Sequence, residues 1–501
     1  GTFNVMSNSV IASDTGKYYN FYVGQVGNHG GAVLNMDSSE VDHTYTRGIY
    51  IRYSSNSRIN NSLIHYSDEN GLYIEDCSPT IANTRIENHL TGMYIDHASP
   101  TITGCTIQDN QDNGIYMTYS SPTIQHSTIT YNGHGIRGSQ SVSPTITFCN
   151  ISDNNGYGIE LGNSGYPVIA NNTLTGNGNT VIYCHDRIIP LIEYNYIESY
   201  RNVQKILRIQ NTWSRSGKII IKNNQIYGSI REGWDSRALD LRNLWDFDDL
   251  IVMNNQFDIS ARWDSLCVRI EDFGRIDDFI FSGNFIHYRG EWDSLMQISY
   301  SYRINDFIFS DNVIECLGNE IWSCIYMYRL RETRDSWIFD NNIINTSSRN
   351  CQMLYTDRIE GTADVSFSNN VFNSFANRPY GARIDYRGNG NVEVNNNEFQ
   401  APSGGSNRFF RGLELTGMGS SGYINVTGNK ILTNGGSGYN TNDLNAYGIR
   451  FSGFGSNKRV EIANNIVNNM STGFHFSGSS PENVHDNIIS GQMYTGIYCT
   501  S

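Results

Sequence analysis

What this chain can fold into is constrained most by a period. The stretch from Gly71 to Ile86 reads GLYIEDCSPTIANTRI, and near-copies of it recur from about residue 48 onward. The first core residue of each copy falls at Ile49, Leu72, Met93, Ile115, Ile136, Ile159, Ile182, Leu207, Leu239, Val268, Met296, Ile325, Met353, Ala382, Leu413, Ile449, Phe474 and Ile497, which makes 18 registers spaced 21 to 36 residues apart. A repeat of this length with no helical apolar pattern marks a solenoid. Strand-length runs on such a period leave no room for crossover helices, so each strand must stack on its equivalent one coil away. The expected architecture is a parallel β-helix.

Each copy carries two apolar clusters. The first alternates inward and outward residues, and eleven copies place Gly immediately before it, from Gly48 and Gly71 to Gly473 and Gly496. The second reads apolar-x-x-polar-x-apolar, as in Ile169 to Leu174. Its fourth position runs Asn172, Asn195, Asn224, Asn255, Asn284, Asn312, Asn342, Asn370, Asn397, Asn429, Asn465 and Asn487, after Ser62, Thr84, Cys105, Ser127 and Cys149. An Asn at a bend can bond nearby backbone and its neighbour one coil away, so this column is expected to be an internal, structural ladder. Proline before the second cluster, at Pro79, Pro100, Pro122, Pro144, Pro167 and Pro190, sets a corner or a strand start.

The Gly-Ile-Tyr-Ile, Ser-Pro-Thr-Ile and Asn pattern resembles the parallel β-helix repeats of the pectate-lyase-like superfamily, in particular the short-coil repeats of periplasmic copper-processing and carbohydrate-binding proteins. The resemblance covers about 450 residues. It implies an all-β, single-stranded right-handed parallel β-helix of about 18 or more coils. Relatives of that superfamily include polysaccharide lyases, hydrolases, epimerases, phage tailspikes and noncatalytic surface proteins, so the fold alone does not assign a function.

A globular chain of 501 residues would be expected to split into several domains, but a solenoid coil buries its face only against its neighbours. Four regions are expected. Residues 1–47, with strand candidates off the main register, are an N-terminal cap and irregular first coils; 48–206 are short coils; 207–448 are wide coils with long loops; 449–501 are short coils again. The last coil ends inside a strand, so the chain is expected to continue past residue 501 or to self-associate through that open coil. Gly1 reads as the start of a processed or trimmed chain.

With 35 Lys and Arg against 49 acidic residues the net charge is -14, and no basic stripe exists to neutralise phosphates, which argues against nucleic acid as a partner. No run approaches the length of a membrane span. The nine cysteines form neither a CxxC pair nor a zinc-like cluster in sequence. Cys105 and Cys149 share a column two coils apart, too far for a bridge; Cys184 and Cys499 fall at inward positions; Cys316 with Cys324, or Cys351 with a neighbour, are pairs the sequence leaves open. Low Lys, abundant Asn and Thr, and this fold together favour a secreted or cell-surface location.

Candidate functional residues lie on the outward positions of the first strand. Tyr73, Tyr94 and Tyr116, with Tyr326 and Tyr328 further on, can meet sugar rings over successive coils, or simply stabilise the stack as an aromatic ladder. In the wide coils Asp240, Arg242, Arg269 and Glu271, then Arg383, Asp385 and Arg387, are the candidates for acid, base and uronate-binding roles; cross-strand ion pairing is the plainer alternative. The motif order of pectinase-like hydrolases is missing. Trp234, Trp263 and Trp292 are further sugar-contact candidates, each followed by Asp and Ser. Asp235, Asp264 and Asp293, together with a second row of Asp249, Asp278, Asp306 and Asp364, would suit Ca²⁺ or Asx turns. No cofactor is otherwise expected. The favoured reading is an extracellular scaffold that contacts a polysaccharide or cell-surface glycan without a catalytic centre; the alternative is a polysaccharide lyase or glycoside hydrolase acting in the middle groove.

Overall fold

The computed structural model describes residues 1–13, 17–24, 31–214, 216–230, 235–261, 265–291, 294–318, 320–375, 380–401, 410–418, 422–433, 446–453, 459–478, 481–491 and 495–500. It contains two compact units, Gly1–Ser214 with Ile219–Ser229, and Arg215–Lys218 with Ile230–Ser501. Every regular element among the described residues is a strand.

In the first unit a coil has three strands, as in Asn70–Glu75, Thr80–Ala82 and Arg85–Glu87. Each pairs in parallel with its equivalents in the coils before and after: Leu72 lies opposite Met93, Ile81 opposite Ile102 and Ile86 opposite Ile107. The second apolar cluster is therefore two short strands with the polar column at the bend between them. The residue before that column takes a left-handed conformation, at Asn83, Gly104 and Asn171 for example, which explains the recurrent Asn-Asn and Gly-Asn pairs. Inward residues stack as files of Ile, and Ile81, Ile102, Ile124, Ile146, Ile169 and Ile192 are fully buried.

The glycine column is a matter of room. Gly92, Gly114 and Gly135 have ordinary φ, yet a Cβ on any of them would come within 2.5 to 2.7 Å of the carbonyl oxygen of the next coil. The proline column behaves as expected of a strand start: the Pro79, Pro100 and Pro122 carbonyls accept from Thr101, Thr123 and Thr145 of the following coil. The N-terminal strands join the stack despite their spacing, with Thr2–Val5 on Val33–Asp37, and Tyr19–Gly24 on Thr44–Arg52.

Residues 387–391 of one later coil lie outside any strand, but in three coils of the second unit the added residues do not form loops between the two clusters. They lengthen strands: Leu266–Ser282, Met296–Ser310 and Ser323–Asp340 each run continuously through both, bending at left-handed residues such as Asp272, Arg303 and Arg329. The wider interior is filled by larger side chains. Phe281, Phe309, Phe339 and Phe367 stack at centroid spacings of 5.1, 4.9 and 5.3 Å, and Phe279, Phe307 and Trp337 form a parallel file. One register differs from expectation. Leu354, not Met353, lies opposite Ile325 and Ala382, so Tyr355 takes the outward place assigned by sequence to Leu354. Two adjacent apolar residues there leave the alternation ambiguous, and pairing decides it. Most of the long return segments after Ala401 and Thr433 fall outside the described residues.

The Asn column is a hydrogen-bonded ladder in both units. Asn172 donates from its backbone N–H and from Nδ2 to Asn195 Oδ1, and Asn195 does the same to Asn224. The pattern holds from Asn255 to Asn487 in the second unit, as in Asn312 to Asn342 at 3.1 and 3.0 Å. The second Nδ2 hydrogen goes to the carbonyl of the preceding coil, for example Phe309 for Asn342. Every donor and acceptor of the amide is thus used, at positions that are buried from Asn172 to Asn465.

Candidate functional site

The candidate side chains stand in vertical files on the outer face of the first-strand sheet, because successive strands pair without slip and residues alternate in and out. In the first unit Tyr50, Tyr73, Tyr94, Tyr116, Arg137 and Glu160 are consecutive members of one file. Tyr73 and Tyr94 stack at 4.7 Å and 12° from parallel, with Tyr116 5.2 Å from Tyr94, while the Arg47 guanidinium lies 4.6 Å from the Tyr50 ring centre and 5.1 Å from that of Tyr73. Stacked rings shield each other's faces, so what this file offers a ligand is ring edges and hydroxyls. Burial and the neighbouring Tyr94 push the Tyr73 hydroxyl up to about 12, keeping it a neutral donor.

In the second unit the corresponding files hold Asp240, Arg269, Gln297, Tyr326, Tyr355, Arg383, Glu414, Arg450 and His475 in one row. Arg242, Glu271, Ser299, Tyr328 and Asp357 form the row beside it. The structure brings Asp240, Arg242, Arg269 and Glu271 together as in-strand ion pairs. Arg242 Nη2 is 2.9 Å from Asp240 Oδ2, Arg269 bonds Glu271, and Asp235 lies 3.5 Å from Arg242 and 3.9 Å from Arg269. Asp385 is held in a bidentate pair by Arg387, at 3.0 and 2.9 Å. Tyr326 packs between Tyr328 and Tyr355, and the Arg329 guanidinium covers the Tyr328 ring at 4.8 Å.

Trp234, Trp263, Trp292, Asp264 and Asp293 lie outside the described residues. Ser236, Ser265, Ser294 and Ser323 are buried, and Ser294 bonds Ser323 at 2.7 Å. Asp249, Asp278 and Asp306 are aligned coil on coil, with Lys218 Nζ 2.5 Å from Asp249; the next two positions are Ser336 and Asp364. Burial, then the carboxylates on either side, hold the Asp278 carboxyl above the usual range.

One arrangement differs from these in-strand pairs. Arg383, Arg411, Glu414, Tyr380 and Tyr447 line a cleft of about 120 Å³ on this face. Arg411 covers the Tyr380 ring at 5.0 Å and that of Tyr447 at 5.9 Å, Arg450 reaches Glu414 at 3.5 Å, and the Tyr447 hydroxyl donates to Glu414 at 2.8 Å. Arg450 thus pairs with Glu414, while Arg383 lies opposite it on the adjacent strand. The Nε atoms of Arg383 and Arg450, like those of Arg242 and Arg269, are buried and have no acceptor among the described residues. His475, opposite Arg450, is shifted toward its neutral form by burial and by that arginine. Sequence reasoning found Arg383 but not Arg411, Glu414 or Tyr447 as its partners. Glu414 holds the outward position of its first strand, and Arg411 and Tyr447, like Tyr380, begin theirs.

Two more groups escaped the sequence reading. His89, Asn110, Asn132, Asn154 and Asn177, spaced 21 to 23 residues apart, form a second buried ladder in the first unit. Glu40, Asp42 and His65 cluster at the surface, with His65 Nε2 2.8 Å from Glu40. All nine cysteines are free. Eight are buried, including Cys105 and Cys149 in the ladder column; Cys499, expected inward, is exposed because its strand is stacked on one side only among the described residues.

Residues 2–136 and 91–243 match the family described as the right handed beta helix region. No curated protein matches the chain. No helix among the described residues is long and apolar enough to cross a membrane. The family match over the N-terminal 2–243, and the in-register parallel stacking within each unit, make this chain a right-handed parallel β-helix repeat protein.

Proposed function

We propose that the chain is a noncatalytic extracellular or cell-surface scaffold that holds an acidic glycan along the first-strand face of its second unit, with Arg383, Arg411 and Arg450 gripping a carboxylate or sulfate group. The observation that carries this reading is a cleft lined by Arg383 and Arg411 against the single carboxylate of Glu414, which Arg450 already pairs from the next strand. In a chain of net charge -14 such a concentration of positive charge is local, and an anionic group would satisfy it with charge-assisted, forked hydrogen bonds. A cleft of 120 Å³ is small beside the roughly 300–1,000 Å³ of pockets that enclose whole ligands, so it suits one functional group of an extended polymer. The aromatic rings are engaged by one another and by arginines, which favours an edge-on, hydrogen-bonding contact over stacking of sugar faces. The carboxylates of the lyase or hydrolase reading are each tied to a guanidinium in their own strand, which supports binding over turnover.

The test is retention of the whole chain on immobilised uronate-bearing, sulfated and neutral polysaccharides at stepped salt. Binding to the acidic polymers that weakens with salt, and falls about tenfold or more in R383A and R411A, is expected. Equal binding to neutral polymers, or release of unsaturated uronates or new reducing ends, would overturn the proposal.

A further inference from the structure

Cys316 ends the strand Val313–Cys316, Cys324 lies eight residues on at the start of Ser323–Asp340, and Cys351 precedes Gln352–Gly361 one coil later. The winding of two successive coils brings the three to one inner corner of the second unit. Their sulfurs all lie within 4.8 Å of one another, with Cys324 and Cys351 3.5 Å apart, and all three side chains are fully buried. Thr346 pairs with Cys316 across the strands and is itself fully buried. Its hydroxyl accepts from the Ser348 N–H at 3.1 Å and is within bonding reach of the Cys316 and Cys351 sulfurs.

This convergence differs from how the other buried cysteines are used. Cys105 and Cys149 each face backbone carbonyls in the ladder column, and Cys184 sits in the apolar core. Metal–sulfur bonds of about 2.3 Å in tetrahedral geometry place sulfurs about 3.8 Å apart, a spacing within the limits seen here. Three thiolates in a dry core would leave a net charge of about -1 around a divalent ion and about -2 around a monovalent one, and the lower buried charge favours the divalent ion.

We infer that Cys316, Cys324 and Cys351, with the Thr346 hydroxyl in the fourth position, form a structural site for a thiophilic divalent d¹⁰ cation of the zinc class. Loading replaces three S–H bonds by three S–metal bonds and releases three protons, so affinity rises with pH. Because the corner is closed to solvent, the ion enters as the coils form and does not exchange readily afterwards.

The experiment is to refold the full chain from denaturant under reducing conditions with Cd²⁺ as an optical probe, or with Zn²⁺, and to measure bound metal and sulfur-to-metal charge-transfer absorption after gel filtration. One equivalent per chain is expected, retained in C105S and lost in C351S. Since misfolding of C351S would also lose the metal, the unaltered chain supplies the second measurement: a thiol reagent should release the metal only as three protected thiols react. Refolded chain carrying no metal, metal retained at one equivalent in C351S, or a disulfide between two of the three cysteines in the protein as purified would overturn the assignment.

Discussion

Replacing Asn342 by Ala removes one rung from the middle of the second unit's ladder. Asn342 Oδ1 accepts from the Asn312 N–H at 3.1 Å and from Asn312 Nδ2 at 3.0 Å, while its own Nδ2 donates to the Phe309 carbonyl at 3.0 Å and to Asn370 Oδ1 at 3.0 Å. Alanine deletes four hydrogen bonds and leaves the Asn312 N–H and one of its amide hydrogens without partners at a fully buried site. At about 1–3 kcal/mol for each buried group left unsatisfied, the loss is about 2–6 kcal/mol. The same change at Asn487 deletes the equivalent bonds to Asn465, but Asn487 is only half-buried, among exposed neighbours, and water can take over those bonds, so about 1 kcal/mol is expected there. A repeat chain with two units need not unfold in one step, so the assay is amide hydrogen exchange followed coil by coil. Protection of the strands Met296–Ser310 and Ser323–Asp340 should drop in N342A, leaving the first unit unchanged. Equal losses in N342A and N487A would refute the claim that buried amide satisfaction, and not side-chain packing at the bend, gives the ladder its stabilising effect.

Other consequences can be measured separately. His89 is buried in the first unit's second ladder as a neutral ring, its Nδ1 accepting from the Ser67 N–H and its pKa lowered from 6.5 to about 4 by burial. Between those values the unfolded chain binds the extra proton, so stability should fall by up to about 3 kcal/mol as pH drops from 6.5 to 4; H89N, which supplies the column's usual residue, should flatten that part of the profile in pH-dependent denaturation. G114A forces a Cβ to 2.7 Å from the Gly135 oxygen and should cost about 1–3 kcal/mol, whereas G496A, with nothing within 4 Å, should stay within about 0.5 kcal/mol; thermal denaturation compares them. Acidic-glycan retention should persist in R242A, whose partner is Asp240 outside the cleft, while R383A loses it.

The Asn172 to Asn487 column was legible because a polar residue that recurs inside an apolar period must face the interior and bond its own equivalents. The His89 to Asn177 ladder was not, since Asn in a Gly- and Asp-rich turn looks the same whether it faces water or the interior. The register slip at Met353 and Leu354 has a related cause: where two neighbours are both apolar, composition cannot tell which one points inward. In the site, the outward rows were readable by alternation, which placed Tyr73, Tyr94, Arg269 and Arg383 on the correct face. Partner choice within the rows was not, because Arg242 turns along its own strand to Asp240 whereas Arg450 reaches across to Glu414.

By itself the sequence determined the coil, its period and its corners, since spacing of apolar, Gly, Pro and Asn residues is a local property repeated often enough to be read. Tertiary structure alone decided how far the strands of the wide coils extend, that Cys316, Cys324 and Cys351 share one inner corner, and that Arg383, Arg411 and Glu414 line one cleft. Those facts depend on rotation of each coil against the next, over separations of about 30 residues that no local pattern encodes.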